Sequence, residues 1–94
     1  MNKYESVCIL TSKLTNEEVA NEIAKIQTTI KEFSDLPISI ENIGKKKLAY
    51  EIKKNTEGIY LVIHFQAESE CIYELERFYR INDNVIKFMV IRED

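Results

Sequence analysis

Apolar positions along this chain alternate between two spacings, and the switches mark its elements. Val7, Cys8, Ile9 and Leu10 form a continuous apolar run within Tyr4 to Leu10, which predicts a strand buried on both faces. Thr15 and Glu18 then make a capping box, and Asn16-Glu17-Glu18 places negative charge at a helix N-terminus. Val19, Ile23, Ile26, Ile30 and Phe33 recur at helical spacing, so one stripe runs to about Phe33, where Pro37 disfavours helical geometry at Leu36. Ile38 to Ile43 and Leu48 to Lys53 read as one extended element bent near Gly44. Asn55-Thr56-Glu57-Gly58 offers turn residues for a hairpin into Ile59 to Phe65, whose β-branched and aromatic content predicts a strand. Ser69 is placed to cap a second helix in which Ile72, Leu75, Phe78 and Tyr79 share a face. Asn82-Asp83-Asn84 is a turn, and Val85 to Ile91 is the last strand.

The order β-α-β-β-α-β predicts an α+β, ferredoxin-like fold: a four-stranded antiparallel sheet with two helices on one face. Its central strands are the first and third, which are the two most apolar here, and the lysine-bearing second strand falls at an edge. Alternation assigns Ser6, Cys8, Leu10, Leu61, Ile63, Phe65, Ile86, Phe88 and Val90 to the helix side. The opposite face then carries Val7, Ile9, Tyr60, Val62, Met89 and Ile91, a contiguous apolar patch of the kind that docks another polypeptide. Loops or the bent hairpin folding over that face, or a homodimer through it, are the alternatives, and a slip of one residue in any strand would exchange the faces.

Composition narrows the chemistry. With 94 residues, 45% hydrophobic and 31% charged, the chain has room for a single domain, residues 1–94, that folds without metal or disulfide staples. Cys8 and Cys71 lack metal-ligand spacing and are expected as buried, reduced thiols, so no metal and no cofactor are expected. No apolar run spans a bilayer and no signal-peptide pattern precedes the first strand, which leads to the expectation of a cytoplasmic protein without membrane contact. His64 is the single histidine and has no Ser or Cys recognisably beside it, while Glu17, Glu18 and Glu22 are assigned to an exposed helix face as solvated charge. The two glycines, Gly44 and Gly58, build no phosphate-binding loop, and Thr11-Ser12-Lys13-Leu14 after the first strand is not one. An enzyme and a small-molecule substrate are therefore not expected. A ligand-sensing ferredoxin-like module, the competing class, would need convergent polar groups around a pocket, which the sequence does not offer clearly.

The net charge is −3, so the positive charge that exists is placed rather than general. Lys45, Lys46, Lys47, Lys53 and Lys54 lie on the hairpin, and Arg77, Arg80, Lys87 and Arg92 lie near the end. Both groups suit phosphate contact, which neutralises a nucleic-acid backbone and releases counterions. Edge strands also carry lysine to prevent sheet-to-sheet pairing, and arginine in a last helical turn complements the dipole, so either role satisfies the pattern. Tyr50 and Tyr60 suit base stacking or ordinary strand packing. The aromatic signature of RNA-recognition sheets is absent from the third strand, which favours contact with the shape and phosphates of folded RNA.

Gly44, Leu48-Ala49-Tyr50, Ile52, Lys54 and Gly58, followed by Arg77, Arg80-Ile81, Asp83-Asn84-Val85 and Met89-Val90, resemble the bacterial small-subunit ribosomal protein six family across essentially the entire chain. The resemblance implies a structural constituent of the small ribosomal subunit that binds the central domain of 16S ribosomal RNA cooperatively, as a heterodimer with small-subunit ribosomal protein eighteen. It further implies that Arg80, Lys87 and Arg92 face RNA, with Lys54 and the Lys45, Lys46 and Lys47 cluster as lesser candidates, while Arg77 is a candidate RNA contact on its charge. Relatives often have arginine where this chain has Asn82 and Ile86, which implies fewer phosphate contacts here and more dependence on the partner protein.

Overall fold

The computed structural model describes residues 1–93. Its elements run β1 (Asn2–Thr11), α1 (Asn16–Lys31), β2 (Ser39–Ile52), β3 (Asn55–Ala67), α2 (Ser69–Ile81) and β4 (Val85–Arg92). The strands form one antiparallel sheet in the order β2-β3-β1-β4, so the apolar β1 and β3 are central and the lysine-rich β2 lies at an edge, as the pattern predicts.

Thr15 caps α1 through a complete capping box, accepting from the Glu18 N–H while the Glu18 carboxylate accepts from the Thr15 N–H. Val19, Ile26 and Ile30 bury the stripe, with Ile23 and Phe33 packed against its border. The helix stops at Lys31, two residues before Phe33, and the Phe33 N–H closes a final turn on the Ile30 carbonyl. The second helix departs from expectation at its start. Its N-cap is Glu68, whose side chain makes no capping bond, and Ser69 is the first helical residue. Between helices and sheet lies the main core, built on Tyr4, Cys8, Leu10, Leu61, Ile63, Phe65, Leu75 and Tyr79. Within it Tyr79 bonds the Ser6 hydroxyl at 2.7 Å, which satisfies both buried oxygens. Burial pushes the Cys8 thiol up to about 12 and the Cys71 thiol to about 11, so both stay protonated.

Three further departures shape the surface. The hairpin turn is Lys53-Lys54, both at positive φ (47° and 66°), and not Asn55 to Gly58. The Asn55 amide fixes this turn by donating to the Lys53 and Ile52 carbonyls, and its Oδ1 accepts from Thr11 Oγ1, so β3 begins three residues earlier than Gly58. Ile86 leaves the helix side. A register shift between β1 and β4 pairs Leu10 with Val85 but Ile9 with Lys87, so Val85 enters the main core and Ile86 turns to the opposite face. Glu22 is not on a solvated face: it is 2% exposed, held by the turn between α2 and β4.

Candidate nucleic-acid and partner interface

The sheet face away from the helices is partly covered by the chain itself. The β2–β3 ladder is irregular between Lys47 and Ile52, and the hairpin beyond it bends over the open face. Leu48 packs there on Ile9 and Ile86, forming a second small core bordered by Val7, Ile52 and Tyr60. Ile9 is consequently only 6% exposed and contributes to this face only as lining beneath the hairpin. Of the other predicted positions, Val7, Tyr60 and Val62 are half-buried, whereas Met89 and Ile91 are 50% and 45% exposed. Register places Val7 between Val62 and Met89, so these three are one contiguous band across the strands. At the hairpin end the band opens into an apolar groove of about 230 Å³, lined by Ile9, Leu48, Tyr50, Tyr60 and Met89 and rimmed by Lys87.

Tyr50 connects the apolar groove to the charged edge. Its hydroxyl accepts from Lys87 Nζ at 3.1 Å, and the ring remains open to solvent. The bent hairpin also carries its tip across to the β4 edge. Lys53, Arg80 and Lys87 there line one cleft of about 310 Å³, together with Tyr79, Val85, Ile86 and Phe88. Three cations from the hairpin, α2 and β4 thus share a single concavity, although Lys53 is far from the other two in sequence. Among the described residues Arg80 pairs with Glu76 at a long and exposed 3.9 Å, a contact of little energetic weight that leaves the guanidinium available to an anion. Lys54 lies beside Lys53 in the turn.

The remaining basic positions lie apart from this cleft. Lys45, Lys46 and Lys47 are exposed on the far edge strand, opposite Ile59, Gly58 and Glu57. Arg77 points to the outer helix surface, pairing with Glu74 at 3.6 Å. Arg92, at the other end of β4, lies opposite Tyr4, roughly 17 Å along the strand from Lys87 at the usual rise per residue. His64 pairs with Glu93 at 3.1 Å on the open face. The sequence groups Lys53 with the other hairpin lysines and not with Arg80 and Lys87, because local pattern does not reveal which edge a bent hairpin tip approaches.

Comparison with known proteins agrees with this fold. The family described as ribosomal protein S6 matches residues 3–92. The chain is 38% identical over 92 residues to the small ribosomal subunit protein bS6 of Gloeobacter violaceus, covering 98% of this chain and 96% of that one. It is 39% identical over 92 residues to its counterpart in Sulfurovum sp., covering 98% of this chain and 72% of that one. Among solved structures, the 30S ribosomal protein S6 of Thermotoga maritima superposes with a TM-score of 0.90 at 35% identity, covering 98% of this chain and 87% of that one.

Proposed function

Because the chain belongs to the ribosomal protein S6 family, we propose that it binds the central domain of 16S ribosomal RNA as a pair with small-subunit ribosomal protein eighteen, and so contributes to subunit assembly. Membership itself makes it a structural protein of the small ribosomal subunit, ribosome-associated in the bacterial cytoplasm, in a family that is not enzymatic. The finer reading concerns which surfaces do the work.

The observation that carries it is the separation of two surfaces by the bent hairpin. One is the cleft of Lys53, Arg80 and Lys87, suited to phosphate. The other is the apolar band of Val7, Val62 and Met89 with its groove, suited to a protein partner. Tyr50 touches both, through its hydroxyl on Lys87 and its place in the groove lining. Arg92, Lys54, Arg77 and the Lys45 to Lys47 cluster act as outlying charges that meet RNA only where it extends beyond the cleft.

Three cations neutralising about three phosphates would give a salt slope of about −2.1 to −2.7, so affinity falls roughly 20- to 40-fold between 50 and 200 mM salt. Binding this weak on its own gains from a partner that presents a second basic surface at high effective concentration. Filter-binding titration of the heterodimer against the RNA fragment tests the assignment. Arg80→Glu should weaken RNA binding and leave affinity for the partner protein nearly unchanged. RNA affinity equal to that of the unaltered protein, with partner present, would count against it.

A further inference from the structure

We propose that Glu22 is a positioning residue for the cationic cleft: by clamping the turn between α2 and β4 it fixes how Arg80 and Lys87 are presented to phosphate. This role rests on the RNA reading above.

The carboxylate comes from the helix layer and is almost completely buried. Burying a charge is costly unless its oxygens are bonded, and here both are. Oε1 accepts from Asn82 Nδ2 at 2.5 Å, and Oε2 accepts from Asn84 Nδ2 at 3.0 Å and from Lys25 Nζ at 3.4 Å. Two of the three donors belong to one short turn. An apolar side chain would fill the same volume, but it would not select one orientation of two amides; a carboxylate with both oxygens engaged does.

The turn is fixed from its other side as well. Asn82 Oδ1 accepts from the Asn84 N–H at 3.0 Å, the Asn82 carbonyl from the Val85 N–H at 3.0 Å, and the Asn84 carbonyl from the Thr11 N–H at 2.8 Å. The clamp therefore ties α1 and the end of β1 to the segment that joins α2 to β4. Arg80 lies just before that segment and Lys87 just after it, and these two line the cleft from its two elements. Loosening Asn82 to Asn84 would let the end of α2 move relative to β4, and the spacing of the two cations would vary. Fixed spacing matters because charge-assisted contacts to successive phosphates reward geometry as well as charge.

The test uses Glu22→Gln, which keeps the shape but sets a carboxamide N–H₂ against an asparagine N–H₂. A second change, Glu22→Gln with Asn84→Asp, restores a complementary pair: the introduced amide accepts from Asn82 through its oxygen and donates through its N–H₂ to the introduced carboxylate. Amide exchange of Asn84 and Val85 is read relative to Cys8 and Leu61 in the central strands, together with RNA affinity in the presence of the partner protein. Glu22→Gln should raise exchange in the turn at least about tenfold beyond the strands and weaken RNA binding by about five- to tenfold, short of the more than roughly tenfold that losing one charge-assisted contact outright would cost. The double change should recover turn protection. Exchange that rises equally in turn and strands would overturn the clamp, since the effect would then be global stability. So would a loosened turn with unaltered RNA affinity while Arg80→Glu weakens binding. If Arg80→Glu has no effect either, the RNA reading of the cleft fails first and this role with it, whereas the exchange data still report the clamp. Should Glu22→Gln lose its fold, Asn82→Ala at the half-buried turn position is measured in the same two ways, and the same results support or overturn the role.

Discussion

Replacing Leu48 by alanine tests whether the bent hairpin is anchored to the sheet. Leu48 is 7% exposed and forms, with Ile9 and Ile86, a small core on the face opposite the helices. Truncating a buried leucine to alanine costs about 2–5 kcal/mol, combining lost transfer energy with the cavity left behind. This site is thin and bordered by half-buried Val7, Ile52 and Tyr60, so it can partly collapse, which places the cost near the lower end, about 2 kcal/mol. For a chain of this size that shifts the thermal midpoint by roughly 8–15 °C, and a urea midpoint by about 1–2 M if m is near 1–1.5 kcal/mol/M. Urea denaturation followed by circular dichroism measures it. A companion cycle with Ile86→Ala separates packing from propensity: side chains in contact should show a coupling of at least about 0.5 kcal/mol. If the hairpin stood away from the sheet, Leu48 would be a surface residue, its loss would cost within about 0.5 kcal/mol, and the two changes would add. That result would refute the covered face and, with it, the delivery of Lys53 to the cleft.

Other expectations follow from single contacts. Tyr79→Phe and Ser6→Ala each leave a buried hydroxyl without its partner and should cost about 1–3 kcal/mol, while the double change should cost clearly less than their sum in a urea cycle. Gly58→Ala should destabilise by about 1–3 kcal/mol, because an added Cβ would collide with Ile9 Cγ2 in the central sheet; thermal melts measure it. Gly44, at φ +93° in the β2 bulge, has open space around it, so Gly44→Ala should cost about 1 kcal/mol or more through backbone strain alone. Burial by itself would raise the Glu22 pKa, but the Asn84 and Asn82 amides and the Lys25 ammonium outweigh it and hold it below the usual carboxylate value. Its stabilisation is therefore fully present above the unfolded-state pKa and is lost as pH falls through the lower folded value. Urea midpoints across pH 2 to 6, roughly the carboxylate range, should fall more steeply for the natural protein than for Glu22→Gln.

Element order, strand centrality and the capping of α1 were legible in the chain because each depends on local periodicity or on residues a turn apart. The continuous run Val7 to Leu10 and the β-branched Ile59 to Phe65 sit in the middle of the sheet, where a strand is flanked by neighbours on both edges and apolar, β-branched side chains pack best. Tertiary structure decided the rest. Ile86 changed faces because one register shift inverts side-chain direction, and no periodicity announces where a ladder slips. Ile9 was sealed by Leu48 because a hairpin bent at an irregular ladder can fold back over the central strands of its own sheet. Glu22 reads as a solvated helix carboxylate until Asn82 and Asn84, some sixty residues away, supply the donors that make its burial tolerable. Lys53 joins Arg80 and Lys87 for the same reason: like charges distant along a chain carry no local signal of proximity, and only the closing of hairpin, helix and edge strand around one another brings the three together.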